Sequence, residues 1–572
     1  MEPYARGARV AVVERARLVD AAFLAIVTTV PALFYTRGLG FYLDDHYFLG
    51  VMATSHDQSI GGLFGALVGG DPKAQLRPVE YFLLATMYWL FGSNPLPYHV
   101  LLAALVPLCA LTLYVVLRRL GLPRFLALAT PLLFATAPHY SSDKLWVAAY
   151  DPTLSLMLFL VSFYASLRAA AAVGRRAWGW LALAGGTLLA SAFMYEIALS
   201  LFLLAVLYHL IRARREGGSW RRSALALALL FGVTLVVKVV AALKVGSETT
   251  YRIGYGHGFL HQMGYLVSGT VKLNFVTYGV ALPYVIGWIV VHRLTWSAVG
   301  ASAIVGIASF LYLARGAGVL GVSDRLPTWR GRAVWQYLAT AGLGVVVAGY
   351  GIFVVTRNIY FTSAGIDNRV NIVAALGMAL IALALILRLI ELVPAVRRQT
   401  VFALSVGLLA ATGVLVTNTI AGYWQEASQR QREVLAGLRA VLPAHPSSTT
   451  VILDGTCAEI GPGIVFGTHY DLAGALQTIY RDPTIRADIT TRALDVEPHR
   501  VVASTRVYDH VEVVSYPYGR RLLLYDWRRR RSYVLPDAAA ARRYAARAPA
   551  MSCPPQRSFA WGVGVSRFMP ID

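Results

Sequence analysis

Long apolar runs separated by short polar stretches fill the chain from Val19 to Thr417. Many of these runs reach or approach the roughly 20 residues that an α-helix needs to cross a bilayer. The pattern predicts a polytopic α-helical membrane protein with about 11 to 13 transmembrane helices. Residues 270–314 allow either one span and a re-entrant segment or three short spans, and both give an odd total. The other predicted spans are residues 19–35, 99–117, 125–137, 151–168, 178–194, 196–210, 224–242, 334–356, 370–390 and 400–417.

The long polar region between the first two spans, residues 36–98, is the first candidate for a functional loop. It begins with the run FYLDDHYF at 41–48, which places two carboxylates and a histidine among aromatics at the membrane boundary. Charge in that position often has a function, although a solvated turn or a helix N-cap also explains an acidic pair. A later apolar stretch, 79–91, is short for a span and suits a helix at the interface.

The pattern changes at Gly422. An amphipathic helix is predicted at 423–442. Strands are predicted at 451–453, 501–504, 511–516, 521–527 and 532–535, with the last three forming a meander. We therefore predict a transmembrane domain over residues 1–421 and a small α/β domain over residues 422–572.

Composition and charge support this division and orient it. Of 572 residues, 57% are apolar and 14% are charged, whereas soluble domains carry about 25% charged residues. The net charge of +22 comes largely from arginines in short loops between spans, which is the positive-inside pattern. It predicts a plasma (inner) membrane protein with a cytoplasmic N-terminus and an extracytoplasmic α/β domain, and it argues against nucleic-acid binding. The loops are residues 118–119, 175–176, 212–222, 325–332 and 397–398.

Lysine and cysteine are rare. All five lysines fall on or near the predicted outer side, either by chance in an arginine-rich chain or because an anionic ligand binds there. Of the three cysteines, Cys109 lies within a span, and Cys457 and Cys553 lie in the C-terminal domain. We predict a disulfide between these two because the outer compartment is oxidising, with two buried free thiols as the alternative.

Ionisable residues at the outer ends of the spans form the candidate site. Each of them alone has a structural explanation, such as a helix cap or a snorkelling lysine, but their shared side of the membrane indicates a site. Carboxylates there can accept a proton from an acceptor hydroxyl, and cations can stabilise charge on a departing phosphate. The residues are Asp44, Asp45, His46, Asp143, Lys144, Asp151, Glu196, Lys238, Lys244, His257, His261, Arg357, Asp367 and Arg369.

The predicted cytoplasmic loops are too short for a nucleotide-binding domain, and the sequence contains no P-loop in a strand–helix context. If the protein transfers a sugar, the donor is therefore expected to be linked to a lipid. Membrane lipids, such a donor and an extracytoplasmic acceptor are the predicted partners.

Several motifs of the first 210 residues or so resemble the membrane glycosyltransferases of the GT-C fold, which include protein O-mannosyltransferases and aminoarabinose lipid A transferases. They occur in the same order as in that superfamily. They are Leu43-Asp44-Asp45-His46-Tyr47, Leu76-Arg77-Pro78, Phe91-Gly92-Ser93-Asn94-Pro95, Tyr98-His99 and Phe134-Ala135-Thr136-Ala137-Pro138.

The resemblance implies inverting transfer of a sugar from a polyprenyl-phosphate donor on the outer face, to a protein, lipid or cell-envelope glycan. It implies that Asp44 or Asp45 acts as general base or binds a divalent metal ion, and that Asp143 or Asp151 supplies the second-loop acid. The chain departs from the family at Tyr195-Glu196, where some relatives have Lys-Glu. It also implies that Arg77 belongs to the substrate-binding set.

Two other classes of function stay open. A transferase that moves a phospho group from a lipid would use the same carboxylates and cations. A transporter or flippase would place ionisable residues near the midplane and often shows inverted repeats, and the sequence shows neither feature.

Overall fold

The computed structural model describes residues 2–245, 258–319, 333–355, 361–491, 494–507, 510–548 and 553. The described helices are α1 Glu2–Leu33, α2 Asp44–Ala53, α3 Ile60–Gly70, α4 Pro78–Phe91, α5 Pro95–Arg119, α6 Arg124–Thr136, α7 Ser142–Leu145, α8 Tyr150–Ala170, α9 Gly174–Met194, α10 Leu199–Glu216, α11 Gly218–Val245, α12 Phe259–Thr270, α13 Leu282–His292, α14 Trp296–Val319, α15 Ala333–Gly351, α16 Ile372–Ile390, α17 Arg398–Val441, α18 His469–Tyr480 and α19 Ala538–Ala545.

Short helical turns connect these helices. A π-helix at Val271–Val280 follows α12. The 3₁₀ turns are Thr36–Gly38, Pro72–Leu76, Pro138–Tyr140, Val147–Ala149, Glu196–Ala198, Ile352–Val355, Ile366–Asn371 and Ala395–Arg397.

Ten of the described helices are long and apolar enough to cross a membrane, which confirms the predicted polytopic helical class. The shorter α6 is not among these ten; it is buried along its whole length and packs against α1, α5, α16 and α17.

The segment from α12 to α13 bends by 60° at the break between the two helices. At its start, the Gln262 side chain donates to the backbone oxygen of Phe353, just beyond α15 (3.1 Å). At its end, Arg293 pairs with Glu426 near the middle of α17 (2.7 Å). Both ends therefore lie at the end of the bundle that carries the C-terminal domain, as in the predicted arrangement of one span and a re-entrant segment.

The connection between the two predicted domains is a single helix. The predicted span at 400–417 and the predicted amphipathic helix at 423–442 are both parts of α17, which has 44 residues. The predicted boundary at residue 421 thus falls inside a helix. Past that boundary, Trp424, Gln431 and Val434 remain buried because the C-terminal domain packs against them.

The strands of the C-terminal domain are β1 Thr450–Asp454, β2 Glu459–Ile460, β3 Gly463–Ile464, β4 Arg486–Ile489, β5 Asp495–Val496, β6 Arg500–Val507, β7 His510–Pro517, β8 Leu522–Asp526 and β9 Arg531–Val534. The domain is built on a four-stranded sheet with the order β4-β1-β8-β9, in which β1 is parallel to β4 and β8. The predicted meander is right for β8 and β9, which pair antiparallel, and wrong for β7, which pairs with β6 in a separate three-stranded sheet, β5-β6-β7.

A disulfide and a helix crossing hold this domain together and in place. Cys457 and Cys553 are joined as a disulfide, with Cα atoms 5.6 Å apart. Helix α18 of the domain crosses α2 of the first loop so closely that a Cβ on Gly50 would lie 2.8 Å from the Cα of Gly474. The loop at 36–98 and the C-terminal domain therefore share one packed core.

Candidate functional site

The two adjacent aspartates of the first loop occupy different environments. Leu43 has a φ of +46°, a strained conformation for a non-glycine residue, and α2 begins directly after it. The Asp45 carboxylate is buried and accepts the backbone N–H groups of Tyr42 (2.9 Å) and Ala148 (2.7 Å). Asp45 therefore joins the first loop to the start of the α8 region. Both of its oxygens are used, so its prediction as a catalytic base is not supported by this geometry.

Asp44 is the half-buried member of the pair. Its Oδ1 accepts the hydroxyl of Tyr470 from α18 (3.1 Å). Among the described residues, Oδ2 accepts no hydrogen bond. Arg369 is close enough for its charge to interact with that of Asp44. Asp44 thus has one oxygen that is oriented by the protein and one that is available to a ligand.

Glu196 is the centre of a dense ion-pair network. Its Oε2 accepts from Arg77 Nη2 at 2.9 Å, and its Oε1 accepts from Lys238 Nζ at 2.7 Å. The Lys238 ammonium also donates to the backbone oxygen of Leu76 (2.6 Å). The Arg77 guanidinium lies over the ring of Tyr195, 4.1 Å from its centroid. The charges of Arg77 and Lys238 are therefore largely compensated within the protein.

Three more carboxyl groups surround this network, and all three are buried. Glu80 and Asp151 each place an oxygen 3.7 Å from Arg77 Nη1, and Asp143 accepts the hydroxyl of Thr153 (3.3 Å). Each also has one carboxyl oxygen that lacks a hydrogen-bond partner. Burial, together with the nearby charge of Asp151, raises the pKa of Glu80 and of Asp143 well above the usual range. These two groups consequently favour the protonated form.

Arg369 differs from the other cations of the site. Its guanidinium lies over the ring of Trp146, 4.8 Å from the centroid, and no described carboxylate lies within the 4.0 Å of an ion pair. The preceding residue holds the turn in place, since the Asn368 side chain donates to the backbone oxygen of His139 (2.7 Å) and accepts from Ser141 Oγ (3.1 Å). Arg369 is therefore a positioned cation without a direct counter-ion in the described chain.

Several predicted ligand residues lie elsewhere. Lys144 is buried and donates to the backbone oxygens of Ala135 and Ala137, both at 2.8 Å, so it caps the end of α6. His46 packs beside Phe466, and burial lowers its pKa to about 4, which keeps the imidazole neutral at pH 7.

Two further predicted residues, both exposed, do not join the cluster. Lys244 and His261 are exposed on α11 and α12. His257 and Arg357 lie outside the described residues. Asp367, which precedes Asn368, is half-buried and interacts electrostatically with Arg369.

The geometry does not suit the alternative in which Asp44 and Asp45 bind a metal ion. Asp45 uses both oxygens on backbone N–H groups. The described part of the chain also lacks a group of three or more His, Cys, Asp and Glu side chains able to hold a metal ion.

Sequence reasoning missed four residues of this site. Glu80 is three residues after Arg77, on the first turn of α4, and this spacing was a usable signal. Tyr195 adjoins Glu196, and Trp146 lies between Asp143 and Asp151, so both were near predicted residues. Tyr470 is 426 residues from Asp44, and no local pattern relates the two.

No protein-family model matches this chain, and no curated protein matches it. Eight solved chains are similar to it, among them the following two. The crystal structure of ArnT from Cupriavidus metallidurans bound to undecaprenyl phosphate is 14% identical with a TM-score of 0.37, and the match covers 81% of this chain and 84% of ArnT.

The second similar structure is the archaeal oligosaccharyltransferase AglB from Archaeoglobus fulgidus in complex with an inhibitory peptide and a dolichol-phosphate. It is 12% identical with a TM-score of 0.40, and the match covers 82% of this chain but only 64% of AglB. Since both TM-scores are below 0.5, these similarities do not by themselves assign an activity to this chain.

Proposed function

We propose that this protein is a GT-C-like membrane glycosyltransferase that moves a sugar from a polyprenyl-phosphate donor to an extracytoplasmic acceptor. One observation supports this more than any other. An available carboxylate, Asp44, lies within electrostatic range of Arg369, a cation without an ion-pair partner among the described residues, at one end of a membrane-spanning bundle. Group transfer from a lipid phosphate needs this combination of base, anion site and adjacent apolar phase.

Arg369 is the proposed phosphate-binding residue. Arg77 and Lys238 are compensated by Glu196, and Lys144 is used at the end of α6. A guanidinium can donate two parallel hydrogen bonds to a phosphate, and stacking on Trp146 restricts its orientation. Arg369 would therefore stabilise the negative charge that builds up on the phosphate as the sugar leaves.

Asp44 is the proposed general base. Its free Oδ2 would take the proton of the acceptor hydroxyl while the acceptor oxygen forms a bond to the anomeric carbon. The bond from that carbon to the phosphate oxygen breaks in the same step, and the electron pair leaves with the polyprenyl phosphate. Attack opposite to the leaving group inverts the configuration at that carbon.

Glu80, Asp143 and Asp151 are proposed to bind the sugar. Each has a buried carboxyl oxygen without a hydrogen-bond partner among the described residues. Such an atom is costly unless a polar ligand or water satisfies it, and sugar hydroxyls are suitable donors.

Binding of undecaprenyl phosphate to the purified protein in nanodiscs tests the phosphate site without a known acceptor. We expect Arg369→Gln to weaken binding by at least tenfold, because it removes a charge-assisted contact worth about 1.5 to 3 kcal/mol. Lys144→Met is the matched control and should bind normally. Equal affinity of wild-type protein and Arg369→Gln would contradict the assignment.

Product analysis distinguishes the two open alternatives. With a donor labelled in both sugar and phosphate, a glycosyltransferase releases undecaprenyl phosphate and transfers only the sugar label. Transfer of the phosphate label would instead indicate a phospho-group transferase. Movement of an intact donor across vesicles without turnover would indicate a flippase.

A further inference from the structure

Helix α18 of the C-terminal domain reaches into the proposed site. Tyr470, on its first turn, donates a hydrogen bond to Asp44 Oδ1 (3.1 Å), and its ring packs edge-on against Tyr47 of α2 (5.9 Å between centroids). Burial and the nearby Asp44 charge raise the pKa of Tyr470 well above its usual value. The phenol therefore keeps its proton and acts as a donor.

The position of Tyr470 is determined by the packing of α18 on α2. One turn after Tyr470, a Cβ on Gly474 would overlap with the backbone oxygen of His46. The two helices can approach this closely only because Gly474 has no side chain. At the start of α18, a capping box between Thr468 and Asp471 holds the first turn, on which Tyr470 lies. Each of these contacts limits how far the hydroxyl can move relative to Asp44.

We infer that Tyr470 is a positioning residue for the Asp44 carboxylate, so that the C-terminal domain completes the active site rather than only flanking it. This inference rests on the proposed function, in which Asp44 is the general base. The hydrogen bond to Oδ1 holds the carboxylate in one rotamer and leaves Oδ2 directed to the acceptor.

Among the described residues, Tyr470 is the group that donates a hydrogen bond to the Asp44 carboxylate. Asp45 and Arg369 interact with Asp44 electrostatically, and neither donates a hydrogen bond to its carboxylate in the described part of the chain. Tyr470 is therefore the residue placed to fix the orientation of this carboxylate.

The test compares Tyr470→Phe with Tyr480→Phe. Tyr480 lies on the same helix, and among the described residues its hydroxyl makes no hydrogen bond, so the same chemical change there is the matched control. The assay follows release of undecaprenyl phosphate from an undecaprenyl-phosphate-linked hexose, with membranes as the source of acceptor, across a range of pH. Thermal unfolding shows that each variant is folded.

For Tyr470→Phe we expect kcat to fall about tenfold with little change in KM for the donor, which corresponds to one hydrogen bond to a charged group. In the Asp44→Asn background, Tyr470→Phe should have no further effect, since Tyr470 acts through Asp44. Tyr480→Phe should match the wild type.

Failure of this inference can be told apart from failure of the proposed function. If Asp44→Asn is inactive while Tyr470→Phe has the rate and pH profile of the wild type, the positioning role is wrong and the base assignment stands. If Tyr470→Phe slows the Asp44→Asn protein further, Tyr470 acts independently of Asp44, which also contradicts the inference. If Asp44→Asn itself releases undecaprenyl phosphate at the normal rate, the proposed function is wrong.

Discussion

At the scale of single residues, neighbouring side chains with the same chemistry have separate roles because the backbone around them differs. Asp44 and Asp45 are adjacent, and the sequence indicated only that one of them faces the site. The structure assigns Asp45 to two backbone N–H groups and leaves Asp44 half-buried. This division could not be predicted, since it depends on Ala148, which is brought near by tertiary packing.

We predict that substituting Asp45 lowers stability and that substituting Asp44 does not. Asp45→Asn replaces an acceptor by an amide N–H₂ that faces a backbone N–H, which should cost about 1 to 3 kcal/mol and lower the thermal unfolding temperature. Asp44→Asn should leave that temperature within a degree or two of the wild type, since one oxygen of Asp44 lacks a hydrogen-bond partner among the described residues. Thermal unfolding in detergent measures both. An unaffected Asp45→Asn variant would contradict its structural role.

Two carboxyl groups near Arg77, those of Glu196 and Glu80, should differ in how much their replacement by glutamine costs in stability. Glu196→Gln leaves Arg77 and Lys238 without their main counter-charge, so we expect a loss of about 3 kcal/mol, at the low end for buried pairs because the site is partly exposed. Glu80→Gln resembles the protonated acid that burial favours and should be tolerated within about 1 kcal/mol. Chemical denaturation of both variants tests this difference, and equal losses would contradict it.

The Glu80 comparison also has a pH dependence. Because the folded state raises the pKa of Glu80 above its ordinary value of 4.5, the folded protein binds this proton more tightly than the unfolded chain. The contribution of Glu80 to the free energy of unfolding is therefore fully present below pH 4.5, and it is lost as the pH rises toward the raised pKa. Glu80→Gln lacks this loss, so it should gain in stability relative to the wild type as pH increases. A constant difference from pH 4.5 to 8 would contradict the assigned shift.

At the scale of elements, hydrophobic periodicity predicted most spans and failed where polarity changes along a continuous helix. The amphipathic character after residue 422 predicted a new helix, but α17 continues through this region. The helix face that carries Trp424, Gln431 and Val434 is buried by the C-terminal domain. The order of strands in the sheet was also beyond sequence reasoning, since β8 pairs with β1 across about 70 residues rather than with β7.

Lys144 caps the end of helix α6, and this contact leads to a prediction about stability. Its ammonium donates to two carbonyl oxygens at the end of α6, so Lys144→Met should destabilise the fold by about 1 to 3 kcal/mol. Affinity for undecaprenyl phosphate in the folded fraction should stay the same, which differs from the original expectation that Lys144 binds the donor. If Lys144→Met is as stable as the wild type but binds the lipid weakly, Lys144 is a donor-binding residue and the capping role is wrong.

At the scale of the whole molecule, we predict that an odd number of crossings places the N-terminus and the C-terminal domain on opposite sides of the membrane. The arginine-rich loops predict that the N-terminal side is cytoplasmic. We therefore predict an extracytoplasmic C-terminal domain, and an oxidising compartment would keep its Cys457–Cys553 disulfide formed. This topology follows from charge and hydropathy alone, whereas the contact between α18 and α2 does not.

Reporter fusions test the topology. A reporter active only in the cytoplasm should be silent when fused after Asp572 and active when inserted in the loop at 325–332. Mass spectrometry without reduction should recover Cys457 and Cys553 in one cross-linked peptide pair. An active reporter after Asp572, or free thiols at both cysteines of the native protein, would contradict the orientation.

Transfer of a labelled sugar by Asp44→Asn protein tests the central claim most directly. The protein in nanodiscs would receive undecaprenyl-phosphate-linked hexoses, each radiolabelled in the sugar, and cell-envelope membranes as acceptor. We expect transfer by the wild type and a loss of about 10²–10⁴-fold in Asp44→Asn, with undecaprenyl phosphate still bound at normal affinity. Transfer at the wild-type rate by Asp44→Asn would contradict the account.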